Sequence, residues 1–468
     1  MSSSTKELTY HVVLFPFMAK GHTIPILHLA RLLLHRQISV TIFTTPANLP
    51  FISQSLSDTK ASIIDLSFPN NVPELPTGIE STDKLPSMLL WPSFVLSTKL
   101  MQPDFEHALE NLPPVNFMVS DGFLWWTLES AKMFGFPRFV FFGMSNYAMC
   151  IGKAVHENSL LFGPESEEDL ITVTPFPWIK ITKSDFEPAF SDPESKVSFV
   201  QLNVLVFTAA FASSGYIMNS FYELEHVFVE YWNNHGDQLP KAWCIGPLCL
   251  VDHRQPRVRH QNNKKPSWIQ WLDKNLEHEK PVLYIAFGTQ TEISLHQLKE
   301  IAIGLEQSNI NFLWVIRDTK FNLEAFEDRV KDRGIIVKEW VDQKEILMHK
   351  SVLGFLSHCG WNSVLESICE GVPILAWPMI AEQPLNARMV VEEIKVGLRV
   401  ETCDGSVRGF VRSEGLKNMV KELMEGEMGK KVRKKVKEVA EMAKKAMEDE
   451  TGSSRQLFDL LIQNQNRP

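Results

Sequence analysis

The sequence predicts an α/β protein of two domains, each built on a parallel sheet. Three observations carry this. The chain has 468 residues, more than one hydrophobic core ordinarily supports. Each half alternates short apolar runs with amphipathic helical segments, the pattern of parallel strands joined by helices. Between the halves, residues 251–266 (VDHRQPRVRHQNNKKP) are polar, charged and poor in apolar side chains, which marks a linker. These boundaries give an N-terminal domain over 1–250, a linker over 251–266, a C-terminal domain over 267–450 and a closing segment over 451–468.

In the first half, His11 to Phe17 is an apolar run that reads as a buried strand. The loop Lys20-Gly21-His22 follows, then an amphipathic helix through Leu27, Leu29, Leu32 and Leu33. Ser39 to Thr44, Asn116 to Ser120 (ending at Asp121) and Phe136 to Phe142 read as further strands. Leu161 to Ser198 is rich in Pro, Glu and Asp and reads as irregular and exposed. Ile217 to Ser220 is strand-like again, and Trp243 to Pro247 closes this half. In the second half the strands are Pro281 to Phe287, Phe312 to Ile316, Ile335 to Val337, Val352 to Leu356 and Pro373 to Ala376. Ser413 to Glu448 reads as helical, and its basic run Lys430 to Lys437 as the solvated face of an amphipathic helix.

Composition narrows the function. The hydrophobic share of 44% and the charged share of 22% suit a globular protein. A formal charge of −9 argues against nucleic acid or an anionic membrane as the main partner. The six cysteines show no Cys-x-x-Cys pair, so no disulfide framework is expected and a reducing compartment fits. Val12 to Met18 is too short for a secretory signal core, and no run reaches the length of a membrane span. The sequence therefore predicts a cytoplasmic protein, without a membrane span.

Candidate chemistry collects at strand ends, where open parallel sheets bind ligands. Residues 357–371 read Ser-His-Cys-Gly-Trp-Asn-Ser-Val-Leu-Glu-Ser-Ile-Cys-Glu-Gly. An apolar strand precedes the run, and Gly371 and Pro373 stop the helix that follows. A Gly-bearing turn opening a helix exposes N–H groups that favour an anion. With the helix starting near Gly360, residues Asn362, Ser363 and Glu366 share one face. Donors at a helix start, with a carboxylate one turn deeper, suit a phosphate and a sugar hydroxyl together. Cys359 inside the turn reads as a small packing residue. His22 sits past the first strand and suits a general base, although a helix start disfavours its protonated form. Asp121 at another strand end suits the orienting partner of that base. Each, taken alone, also reads as a loop or capping residue. Thr289 follows the strand Pro281 to Phe287. Trp340 and Gln343 follow another and suit a nucleobase and its ribose, or edge packing. Glu382-Gln383 offers a carboxylate and an amide to a ligand rich in hydroxyls, or a polar loop.

Absences matter equally. The sequence lacks Gly-x-Gly-x-x-Gly, a P-loop, Gly-x-Ser-x-Gly, His-Glu-x-x-His and Asp-x-Asp. Dinucleotide, ATP-dependent, esterase and metal-diphosphate chemistry thus lose their usual signatures, and no metal ligand set is expected.

Trp340 to Gln383 closely resembles the 44-residue signature box of the plant family-1 glycosyltransferases, UDP-sugar-dependent enzymes that decorate small secondary metabolites. The match is carried by His358-Cys359-Gly360-Trp361-Asn362-Ser363, Glu366, Gly371, Pro373, Trp377-Pro378 and Glu382-Gln383. His22 lies in the family's Gly-His context and Asp121 in its strand-end aspartate context. Phe117 to Ser130 (FMVSDGFLWWTLES) also resembles flavonoid-type members.

The resemblance implies the GT-B arrangement, two Rossmann-like domains with parallel sheets facing a cleft, and a last helix packed back on the N-terminal domain. It implies that Trp340 stacks on uracil and that the Val341 backbone reads its edge. Gln343 and Glu366 would bind ribose, while His358, Gly360, Asn362, Ser363 and Thr289 form the diphosphate turn. Trp361, Glu382 and Gln383 would contact the sugar, and Gln383 ending the box points to UDP-glucose as donor substrate. Asp342 stands where many members carry Pro, and Thr289 where Ser is common. The implied reaction is inverting O-glucosylation of a small aromatic acceptor, a flavonoid or other phenol, with His22 as base and Asp121 orienting it. No cofactor is implied, and a monomer is expected. C-glucosylation of a phenolic ring and silent UDP-sugar binding are the rival readings. Phe123, Trp125, Trp126, Met144, Tyr147 and Met149 are candidate lining for the acceptor, or core.

Overall fold

The computed structural model describes residues 10–187, 197–234, 239–251, 265–316 and 324–465. The N-terminal part holds β1 (His11–Phe15), β2 (Ser39–Thr44), β3 (Ser62–Asp65), β4 (Phe117–Asp121), β5 (Arg138–Phe142), the hairpin β6 (Ile171–Val173) and β7 (Phe176–Ile181), β8 (Gly215–Met218) and β9 (Ala242–Cys244). All but the hairpin form one parallel sheet in the order β3-β2-β1-β4-β5-β8-β9. β1, β4 and β5 are buried along their whole length, as helix-covered parallel strands must be. Phe15 packs there against Phe43, Phe105 and Trp126.

The C-terminal part repeats the plan. β10 (Val282–Ala286), β11 (Asn311–Val315), β12 (Gly334–Val337), β13 (Val352–Ser357), β14 (Ile374–Ala376) and β15 (Gly397–Arg399) form a second parallel sheet, ordered β12-β11-β10-β13-β14-β15. Strand order reverses between β1 and β4 in one sheet and between β10 and β13 in the other. Such switch points open the crevice where ligands bind. The last helix, Ser453–Asn464, lies on the N-terminal part: Arg36 Nε reaches Asp459 at 2.9 Å, and Ser453 Oγ donates to Glu223 at 3.0 Å.

Several elements depart from the sequence reading. Leu161 to Ser198, expected to be irregular, contains the β6–β7 hairpin; residues 188–196 lie outside the described residues. The helix Val197–Phe211 follows it. β3 and β15 were not anticipated, being short edge strands with polar or half-buried positions. Ser413 to Glu448 is two helices, Ser413–Glu425 and Glu427–Ala446, because Gly426 is extended (φ −77°, ψ 172°). Of the predicted linker, 252–264 lie outside the described residues. Among the described residues, no helix is long and apolar enough to cross a membrane.

Candidate active site

β1 and β4 are neighbours, with Phe15 opposite Ser120. The chain leaves β1, turns through Phe17 to Ala19 and enters the helix Lys20–His35, so His22 stands in the first turn above the sheet. Asp121 ends β4. This brings His22 Nδ1 to 2.7 Å from Asp121 Oδ2, with Asp121 fully buried and the His22 side chain 23% exposed. Asp121 Oδ1 accepts from the Phe123 N–H at 3.0 Å, so both carboxylate oxygens are fixed. Nε2 of His22 is left as the ring nitrogen for a ligand. Burial pulls the His22 pKa down, but the charge of Asp121, its hydrogen bond and the charge of Glu382 together raise it above the ordinary value. The sign differs from that expected of a helix start, because the partners come from other elements.

Aromatic rings surround His22. Phe17 and Phe123 lie 5.8 and 5.4 Å from the His22 ring, and Trp91 lies edge-on to Phe123 at 4.9 Å. A Cβ at Gly143 would stand 3.5 Å from His22 Cε1, so glycine keeps that side open. Of the six candidate lining residues, Phe123 and Met144 are partly exposed here. The others are core. Trp126 is 1% exposed, with its N–H on Thr98 Oγ1, and Tyr147 is 1% exposed against Phe228. Trp125 and Met149 are also buried. Trp91, partly exposed, takes their place as a wall residue, with Phe17 buried behind the His22 ring at 1% exposed.

Across the cleft, β10 and β13 are paired through Ala286 and Ser357. Gly288 and Thr289 follow β10, and His358 follows β13. A Cβ at Gly288 or Gly360 would lie 2.8 or 2.7 Å from His358 Nε2, so both glycines make room for this ring. Burial, against a smaller upward pull from the Ala286 carbonyl, takes the His358 pKa down to about 4. His358 therefore offers a neutral ring to an anion rather than a charge. Gly360 caps the helix Trp361–Cys369, whose start faces the cleft. Cys359 is buried at φ +64°, and burial pushes its thiol up to about 12. It packs the turn and is no nucleophile.

The ribose candidates form one cluster. Gln343 Nε2 donates to Ser363 Oγ and to Glu366 Oε2, both at 2.9 Å. Asp342, where Pro is common, is the N-cap of the helix Gln343–Leu347 and accepts from Lys344 N at 3.1 Å. The acid thus fixes the helix start that presents Gln343. Trp340 is half-buried, and Phe51 of the N-terminal part meets its ring edge-on at 5.9 Å. Val341 is buried beside it.

The sugar candidates are more constrained than the sequence suggests. Trp361 is 1% exposed and its indole N–H donates to the Asn219 carbonyl at 2.8 Å. Its ring therefore packs between the domains, which leaves its backbone at the helix start for a ligand. Gln383 Oε1 accepts from the N–H groups of Met379 and Ile380, both at 3.0 Å, so only its amide NH2 remains. Glu382 faces His22, and burial raises its pKa. Asn362 Nδ2 donates to the Gly21 carbonyl, next to His22, and its Oδ1 accepts from Asn219 at 3.1 Å.

A family model described as UDP-glucoronosyl and UDP-glucosyl transferase matches residues 260–442. UDP-glycosyltransferase 90A1 from Arabidopsis thaliana is 55% identical over 472 residues, 99% of this chain and 97% of that protein. The chain belongs to the plant family-1 UDP-glycosyltransferases. Its fold is the GT-B fold of that family. A Glycyrrhiza uralensis structure, UGT73P12 complexed with glycyrrhetinic acid 3-O-monoglucuronide, superposes with a TM-score of 0.87 at 28% identity, covering 98% of this chain and 96% of the other. Phytolacca americana UGT2, complexed with UDP-2fluoro-glucose and pterostilbene, gives 0.80 at 28% identity, covering 98% and 100%.

This UDP-glycosyltransferase also uses residues that carry no local signal. Asn219 follows β8 and binds both Trp361 and Asn362 across the cleft. Ser145 donates to Asn386 at 3.0 Å, and Asn386 donates to the Cys359 carbonyl at 3.1 Å. Buried Asp185, after the β6–β7 hairpin, accepts from Arg388 Nε at 2.7 Å. Each is an ordinary polar residue in sequence, and only a partner 142 to 241 positions away gives it a role.

Proposed function

We propose that this UDP-glycosyltransferase is an inverting O-glucosyltransferase that moves glucose from UDP-glucose to a hydroxyl of a small aromatic acceptor, a flavonoid or other phenol. The observation that carries this reading is the His22–Asp121 pair, 2.7 Å apart and walled by aromatic rings, opposite a helix start suited to a diphosphate. Neutral His22 takes the hydroxyl proton as the acceptor oxygen bonds to the anomeric carbon. The bond from that carbon to UDP breaks on the opposite face, so the configuration inverts. Asp121 stabilises the imidazolium that forms. The helix start at Trp361, with Thr289 and His358 beside it, meets the charge on departing UDP, and no metal enters the step.

The NH2 of Gln383 supports glucose as the sugar. Trp91 and Phe123 support a flat phenolic acceptor, as does the likeness to a structure holding pterostilbene. Six free thiols suit a reducing compartment, and we place the enzyme in the cytoplasm. The decisive experiment is His22→Ala with UDP-glucose and a phenol panel. Transfer should vanish while UDP binding by calorimetry persists; retained turnover would remove His22 as the base. Products that resist acid hydrolysis would reassign the reaction to C-glucosylation.

A further inference from the structure

We propose that Arg138 is a positioning residue of the reaction: buried behind β4, its guanidinium clamps the strand end that carries Asp121 and sets the field in which the dyad holds its proton. This rests on the reading of His22 as base. Arg138 begins β5, next to β4, and is 1% exposed. A buried arginine ordinarily has a carboxylate in contact. Among the described residues, the Arg138 guanidinium makes five hydrogen bonds, none of them to a carboxylate. Nε donates to Ser120 Oγ at 2.7 Å and to Thr127 Oγ1 at 3.0 Å, and Nη1 to Ser213 Oγ at 2.9 Å. Nη2 reaches the carbonyls of Asp121 at 3.2 Å and Leu124 at 3.4 Å.

Two effects therefore meet at Asp121. Its carbonyl and the preceding side chain are held by the guanidinium, which fixes where the carboxylate points. The acceptors are all neutral, so the positive charge is not cancelled where it sits, and it acts through low-dielectric protein on the Asp121 carboxylate. The other ionisable groups are Glu382, facing His22 from the donor loop, and Tyr216 on β8, whose phenol burial keeps neutral. Burial pulls Arg138 down to about 10, against upward pulls from Asp121 and Tyr216, so it stays charged at neutral pH. A cation behind Asp121 disfavours a further positive charge on His22, and the His22 ring must be proton-free to take the acceptor's proton.

The test is the pH dependence of kcat/KM in four variants. Arg138→Met removes the charge, and the acidic limb should move up by about one pH unit. Arg138→Lys keeps the charge but loses the fork, so kcat should fall while the limb stays. Ser213→Asp sets a carboxylate against the guanidinium and should raise the limb, whereas Ser213→Asn should leave it in place. Should Arg138→Met fail to fold, the Ser213 pair decides alone. A wild-type limb in Ser213→Asp, or equal shifts in Arg138→Met and Arg138→Lys, would overturn the proposal. Failure of the base reading is separate: it would show as transfer by His22→Ala, whatever the limbs do.

Discussion

Burial drives the His22 imidazole towards its neutral form, while Asp121 and Glu382 draw a proton onto it, and the two carboxylates prevail. The acidic limb of kcat/KM should therefore lie above the ordinary histidine value of about 6.5, because His22 must lose its proton to act as base. Asp121→Asn keeps the shape and removes the charge, leaving burial to dominate. The limb should move to lower pH, and kcat should fall roughly 10²–10⁴-fold as the base weakens and its tautomer is released. A pH–rate series checks both, and an unmoved limb would show that His22 does not feel Asp121. The two residues were legible as strand-end candidates. Their contact was not, since 99 positions separate them and the local helix start argues for the opposite pKa shift.

The elements that make the donor turn are short, and glycine decides their fit. Gly288, two residues past β10, has φ +78°, a left-handed conformation, and the helix Trp361–Cys369 starts after Gly360. His358 lies against both. Gly360→Ala puts a Cβ 2.7 Å from His358 Nε2, so the ring must shift out of the proposed anion site. UDP affinity by calorimetry should drop about tenfold, or about 1.4 kcal/mol, with the helix itself intact by circular dichroism. This strand-turn-helix unit was readable from an apolar run, a glycine turn and the stop at Gly371 and Pro373. The β6–β7 hairpin was not, because its surroundings carry the composition of a loop. Neither were β3 and β15, whose edge positions need few apolar residues.

At the scale of the molecule, polar side chains tie the two sheets across the cleft. Asn219 to Trp361, Asn362 to Gly21, Ser145 to Asn386 and Arg388 to Asp185 all cross it. The last is an ion pair whose side chains are 10% and 0% exposed. Removing Asp185 leaves the buried Arg388 with Glu392 alone, a half-exposed partner at 3.0 Å. Asp185→Ala should therefore cost about 3 kcal/mol, read as a lower denaturant midpoint, and should raise KM for the donor, since Arg388 ends the helix begun by Gln383. A midpoint equal to wild type would show the pair to be energetically silent. By itself the sequence determined the two α/β halves, the strand-end residues and the donor box, because periodicity and turn chemistry act within a few residues. Only the tertiary structure decided that His22 carries a raised pKa, that the Trp361 ring is spent on the domain contact, and that the Arg138 guanidinium lies behind Asp121 on neutral acceptors. Those properties depend on charges and hydrogen-bond partners brought together from distant segments, and no local pattern encodes them.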